Sequence, residues 1–216
     1  MDQVVCQSLC LVQTVTKSEL QIDPTVLEDR IPKEHEPPVT YIRLLEDQLM
    51  TVAVFVLRSG KRLPLHDHPG MTGLLKVVHG SVTIKSYSLI EDNSYTVPQS
   101  LSDYLFQRYG RHIPVYPAKY EGSTVFTEND HCSVISPDNK NIHEICSESG
   151  TAAFLDVLSP PYNHKAVNDP EYRPCSYFKD LTVDDSSDVR YLVQIRAPGD
   201  YWCDEVPYTG PKLSQL

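Results

Sequence analysis

The spacing of apolar and polar residues changes character early in the chain. Between Val4 and Leu20, the residues Val5, Leu9, Val12 and Val15 recur near a helical period, with Cys6 and Cys10 on a neighbouring stripe. This predicts a short N-terminal helix packed on the outside of the main body. From Gln21 to Pro38 the sequence is acidic and holds Pro24, Pro32, Pro37 and Pro38, so a wrapping loop is expected. Beyond it the period is two. Tyr41–Leu45, Val52–Arg58, Leu74–Val78 and Ser81–Tyr87 are rich in β-branched residues and read as strands, with His79-Gly80 as a tight hairpin between the last two. Further strands are expected at Ser123–Thr127, Cys132–Ser136, Ile142–Cys146, Ala152–Leu158, Cys175–Phe178 and Val189–Arg196. Many short strands, with no convincing helix after residue 20, predict an all-β sandwich or barrel. The polar, tyrosine-rich stretch 91–122 reads as a long insertion.

Length and composition narrow this picture. At about 100–200 residues per domain, 216 residues suit one domain. The expected organisation is a helix and wrapping loop over 1–38 and one domain over 39–216. Forty per cent hydrophobic and 22% charged residues are ordinary for a globular chain with a real core. Nineteen Lys and Arg against 29 Asp and Glu give a net charge of −10, which argues against nucleic acid as a partner and mildly favours cationic ligands. Met1-Asp2-Gln3 carries an acid where a secretory signal carries a base, and no apolar run approaches the about 18 residues of a membrane span. A cytoplasmic protein, extending to the nucleus, is therefore expected, with its six cysteines kept as thiols. No C-x-x-C pair occurs, which argues against a cysteine zinc site.

The chemistry-bearing segment is Gly60-Lys-Arg-Leu-Pro-Leu-His66-Asp-His68-Pro-Gly70. Histidines at i and i+2 of an extended segment share a face, so both imidazoles can reach one metal ion. A third ligand must come from elsewhere. His143, flanked by Ile142 and Ile145 on another strand-like segment, fits, because a metal and one hydrogen bond would satisfy a buried imidazole. His131 is the alternative, and the H-x-H pattern alone also accommodates an exposed pair.

The string from Gly60 to His68, followed by Gly80, is similar to the first motif of the cupin superfamily, and Pro137 and His143 loosely match the second. Cupins usually place a carboxylate a few residues after H-x-H, where this chain has Thr72 and Gly73. Three neutral histidines would replace the two-histidine, one-carboxylate face of many iron oxygenases. A three-histidine cupin resembles the thiol dioxygenases, and more narrowly the cysteamine (2-aminoethanethiol) dioxygenase and plant cysteine oxidase family. The matching strings are Leu65-His66-Asp67-His68-Pro69-Gly70-Met71, Asn141-Ile142-His143-Glu144-Ile145, Ala153 to Tyr162, Cys175-Ser176-Tyr177-Phe178, Trp202-Cys203 and Pro207 to Lys212.

The resemblance implies a double-stranded β-helix (jelly-roll) barrel, Fe(II) on His66, His68 and His143, and transfer of both oxygen atoms of O2 to a thiol sulfur, giving a sulfinic acid. The substrate implied is cysteamine or the N-terminal cysteine of a peptide or protein, in the second case an oxygen-dependent degradation mark. Alternation along Phe154-Leu155-Asp156-Val157-Leu158 turns Asp156 away from Leu155 and Val157, and the resemblance places it near the iron, facing the substrate amine or a water. Tyr162, Cys175 and Tyr177 are the further candidates, the last two for a thioether crosslink. Two other readings stay open: a free-cysteine dioxygenase, which needs an arginine such as Arg58 or Arg62 for the carboxylate, and a non-catalytic metal-binding cupin.

Overall fold

A computed structural model of the chain describes residues 12–24, 36–90, 95–163, 169–182 and 187–212. Its elements are β1 (Val39–Glu46), β2 (Thr51–Leu57), β3 (Arg62–Asp67), β4 (Thr72–His79), β5 (Ser81–Leu89), α1 (Gln99–Tyr109), β6 (Val115–Thr127), β7 (Ser133–Ile135), β8 (Ile142–Cys146), β9 (Ala152–Ser159), β10 (Tyr177–Asp180), β11 (Val189–Ile195) and β12 (Cys203–Glu205). One sheet runs β12-β1-β2-β9-β4-β7, and the other closes on itself as β10-β11-β6-β5-β8-β3. The orders β2-β9-β4-β7 and β3-β8-β5-β6 interleave successive strands between two sheets, which is the jelly-roll arrangement expected from the sequence.

The run Val52–Leu57 is apolar at nearly every position because both faces of β2 are covered. Val52, Val54 and Val56 pack with Leu155 and Val157 of β9 and with Val12, Leu20 and Ile22 of the N-terminal segment. Leu57 packs between the sheets with Phe154, Leu75, Leu63 and Ile145, and Phe55 lies against that cluster. A strand covered on both sides loses the polar alternation of a half-exposed one.

Three expectations are corrected. His79-Gly80 does not close a hairpin: β4 pairs with β7 and β9, and β5 with β6 and β8, so these residues carry the chain from one sheet to the other. Gly80 has φ +68°, and a Cβ there would lie 2.6 Å from the Thr151 carbonyl oxygen, so only glycine fits the crossing. The stretch 91–122 contains a helix, α1, and the first half of β6. Leu105 alone is buried along α1, which is why no apolar period announces it, yet Pro98 before it and Gly110 after it mark its ends.

The N-terminal helix does not run to Leu20; its residues 4–11 lie outside the described residues, and only 12–14 are helical. At Thr16 a capping box starts a separate turn. The Thr16 amide donates to Glu19 Oε2 at 2.9 Å and the Glu19 amide to Thr16 Oγ1 at 3.3 Å. Most of the wrapping loop, 25–35, lies outside the described residues. Among the described residues no helix is long and apolar enough to cross a membrane.

Candidate metal centre

His66 and His143 face each other directly across the β3–β8 ladder. Leu63 pairs with Ile145, so β3 uses one more residue than β8 between the two pairs, and this bulge turns both Leu63 and His66 toward the space between the sheets. Pro64, which has no N–H to give to a ladder, sits in the bulge, and its carbonyl accepts a hydrogen bond from His66 Nδ1 at 2.7 Å. That bond leaves His66 Nε2 as the lone-pair nitrogen. His68 follows the strand; its amide donates to the Asn141 carbonyl at 3.0 Å, and the Asn141 side-chain amide donates back to the His68 carbonyl.

The three rings stand edge to face, with centroids 4.8–4.9 Å apart and interplanar angles of 62°, 65° and 78°. One nitrogen from each lies within 4.8 Å of the others, and all three residues are buried. Burial drives His66 down to about 4 and holds His68 and His143 well below the usual histidine range, so the cluster is uncharged at neutral pH. His68 Nε2 and His143 Nε2 are 3.0 Å apart. Two imidazole lone pairs at that distance need a proton or a cation between them, and an all-imidazole donor set suits Fe, Zn, Cu or Ni. The residues therefore fit a transition-metal ion.

Tyr162 fixes the tautomer of His68. Its hydroxyl lies 2.6 Å from the Asp67 carbonyl oxygen and 2.8 Å from His68 Nδ1. A carbonyl only accepts, so the Tyr162 proton goes to Asp67 and His68 Nδ1 donates to Tyr162, leaving Nε2 to face the cluster. Cys175 Sγ is hydrogen-bonded to the hydroxyls of both Tyr162 and Tyr177, and burial raises its thiol to about 11, so it stays protonated. Tyr177 pairs with His66 across β10–β3, its ring centroid 6.5 Å from that of His66, and burial raises its phenol to about 12. Asp67 is a tie that no motif announces: its carboxylate accepts the Ser176 amide at 2.7 Å, joining the H-x-H segment to the one that carries Cys175.

Asp156 stands on β9 between Ala53 and Leu75, on the strand face that carries Phe154 and Leu158. It lines a cavity of about 190 Å³ with Tyr41, Glu46, Phe55, Leu158 and Tyr162, and no lysine or arginine lines it among the described residues. Burial raises its carboxyl to about 7. Tyr162 is common to the cavity and the histidine cluster, so the carboxylate and the metal centre share a wall. Tyr41 and Glu46 were not anticipated; both lie on β1 and carry no motif signal.

The remaining candidates lie elsewhere. His131 is exposed on the loop before β7 and joins no cluster, so it does not substitute for His143. Arg58 is bound to Glu36 at 3.2 Å, and Arg62 to Glu144 and Asp200 at 3.5 and 3.3 Å. Neither lines the Asp156 cavity, so the arginine that free cysteine would require is not supplied by them.

A jelly roll whose sheets enclose three convergent, uncharged imidazoles places the chain in the class of three-histidine barrels whose site could hold a metal ion. The family model PCO_ADO matches residues 2–213, and the chain belongs to that family. It is 33% identical to the 2-aminoethanethiol dioxygenase of Mus musculus, over 94% of this chain and 82% of that protein. It is also 33% identical to the 2-aminoethanethiol dioxygenase of Homo sapiens, over 82% of this chain and 69% of that protein. With plant cysteine oxidase 1 of Arabidopsis thaliana the identity is 32%, over 68% of this chain and 44% of that protein.

Proposed function

We propose that this protein is an iron(II)-dependent thiol dioxygenase that places both atoms of O2 on the sulfur of an aminothiol, either cysteamine or the N-terminal cysteine of a peptide. The carrying observation is the juxtaposition of an uncharged triad with a cavity that, among the described residues, is lined by carboxyl groups and no lysine or arginine. A thiol and an ammonium two carbons apart match that pair of features. Iron(II), when bound, supplies the site where thiolate and dioxygen meet and the electrons pass between them. The reaction balances as thiolate plus O2 giving sulfinate, with no external reductant.

The chain's own groups do the rest. The Pro64 carbonyl and the Tyr162 hydroxyl hold His66 and His68 with Nε2 turned inward. Asp156, buried enough to rest near neutrality, ionises when an ammonium enters beside it, because the opposite charge offsets the burial that raised its pKa. The apolar walls, Phe55 and Leu158, limit water around that ion pair. The four free thiols among the described residues support a reducing compartment, the cytoplasm and nucleus.

The test is oxygen uptake by iron-loaded protein with cysteamine, a Cys-initiated peptide, free cysteine and N-acetylcysteamine, with product mass read in parallel. Uptake with either of the first two, and a gain of two oxygen atoms, is expected; N-acetylation removes the ammonium and should slow the reaction at least about tenfold. Silence with both cysteamine and the peptide overturns the assignment, and a clear preference for free cysteine transfers it to a carboxylate-binding enzyme.

A further inference from the structure

Two large clefts open away from the histidine cluster, and they differ in charge. One, of about 600 Å³, has Arg62, Lys85, Lys179 and Arg190 in its wall, but Glu144 and Asp180 in the same wall pair with Arg62, Lys85 and Arg190. The other, of about 580 Å³, lies between segment 109–116 and the end of β11, and among the described residues holds Arg111, His112 and Arg196 with no carboxylate in its wall. In a chain of net charge −10, a cleft with cations and no acid is a local reversal of the overall field.

The cleft exists for a backbone reason. α1 stops at Gly110, whose φ of +67° lets its amide donate to the Phe106 carbonyl at 2.8 Å. β6 begins only at Val115, opposite Val193, and Pro114 before it has no N–H with which to extend the ladder. β11 nevertheless continues to Gln194 and Ile195, paired on its other side with Phe178 and Tyr177 of β10. Past Val193 the chain from Gly110 to Pro114 stands off β11, and the gap between them is the cleft.

Its lining has two parts. Tyr109 and Tyr116 supply aromatic faces, with Val193 and Ile195 as apolar floor, and Arg111 and Arg196 each supply a fork of donors to the wall. Cavities of about 300–1,000 Å³ with apolar walls and a few convergent polar groups are typical small-ligand sites. We propose that this cleft is a second ligand site, separate from the Asp156 cavity, that takes a small anion carrying a planar ring. Arg111 and Arg196 hold the phosphate or carboxylate, and the ring lies against Tyr109 or Tyr116.

The proposal is tested by calorimetric titration of the metal-loaded protein with AMP, indole-3-acetate, inorganic phosphate and adenosine. AMP or indole-3-acetate should bind once per chain and at least about tenfold tighter than phosphate or adenosine, since only the combined ligand uses both parts of the wall. Tighter binding of AMP assigns a phosphate source, and tighter binding of indole-3-acetate a carboxylate. Arg111→Gln and Arg196→Gln, both on exposed side chains, should each weaken that binding at least about tenfold. The proposal is overturned if neither ring anion binds more tightly than phosphate, if both variants bind like the parent, or if Asp156→Asn rather than the arginine variants abolishes binding.

Discussion

The histidine cluster and Asp156 stand on facing sheets of one jelly roll, and burial acts on both toward the uncharged form. It lowers the histidines, His66 to about 4, and raises Asp156 to about 7. The two regions differ in what completes them. Three lone pairs converging within 4.8 Å answer a metal cation, whereas the carboxyls of Asp156 and Glu46, lining a cavity of about 190 Å³, answer a small organic cation. Burial holds the histidines neutral and Asp156 close to its titration point, so the interior can take up positive charge at two adjoining places.

The largest expected break in this pairing is His143→Ala. Removing one of three ligands should reduce iron content below about a tenth and thiol-dependent oxygen uptake by about a thousandfold or more, with far-ultraviolet dichroism unchanged. Elemental analysis beside an oxygen electrode reads both. Asp156→Asn should separate the two regions: iron content stays near that of the parent, while the KM for cysteamine rises about 10–100-fold at pH 7.5. A parallel loss of iron would show that Asp156 belongs to the metal side.

Tyr162→Phe should act on both regions weakly, because it removes the acceptor of His68 Nδ1 and one hydroxyl from the residue that also lines the cavity. Metal affinity should fall about 10–100-fold, measured by competition with a chelator. The smallest effects are on stability. In the metal-free protein, His66 titrates near 4 folded and near 6.5 unfolded, so the unfolded chain holds the extra proton between those values. Stability should fall as pH drops from 6.5 toward 4. Asp156 runs the other way: between its ordinary 3.8 and about 7 the folded chain holds the proton, so its contribution is lost as pH rises through 7. Asp156→Asn should therefore stabilise the metal-free protein by about 2 kcal/mol more at pH 8.5 than at pH 5; denaturant titrations that show no pH dependence of this difference would place the carboxyl in water.

Legibility followed the range of the interaction. The strands Tyr41–Leu45, Val52–Arg58, Leu74–Val78 and Ser81–Tyr87 were readable because β-branched runs favour extended backbone locally, whichever partner they find. His66, His68 and His143 were readable as a set because the spacing i, i+2 and an imidazole flanked by isoleucines both point to a shared interior. α1 was not, since its apolar residues Tyr104, Phe106 and Tyr109 are exposed and only Leu105 is buried. The capping box at Thr16 and the Pro98 and Gly110 boundaries were written in the sequence but carry too little energy, about 1 kcal/mol each, to compete with a pattern read over a longer window.

By itself, the sequence determined an all-β chain with a two-plus-one histidine set, because strand propensity and ligand chemistry are properties of short segments. Tertiary structure alone decided that His79-Gly80 crosses between sheets, that a bulge at Pro64 aims His66, and that Asp156 and Tyr162 share a cavity beside the cluster. Each of these depends on which strand lies opposite which, and a strand's own residues specify its faces but not its partner.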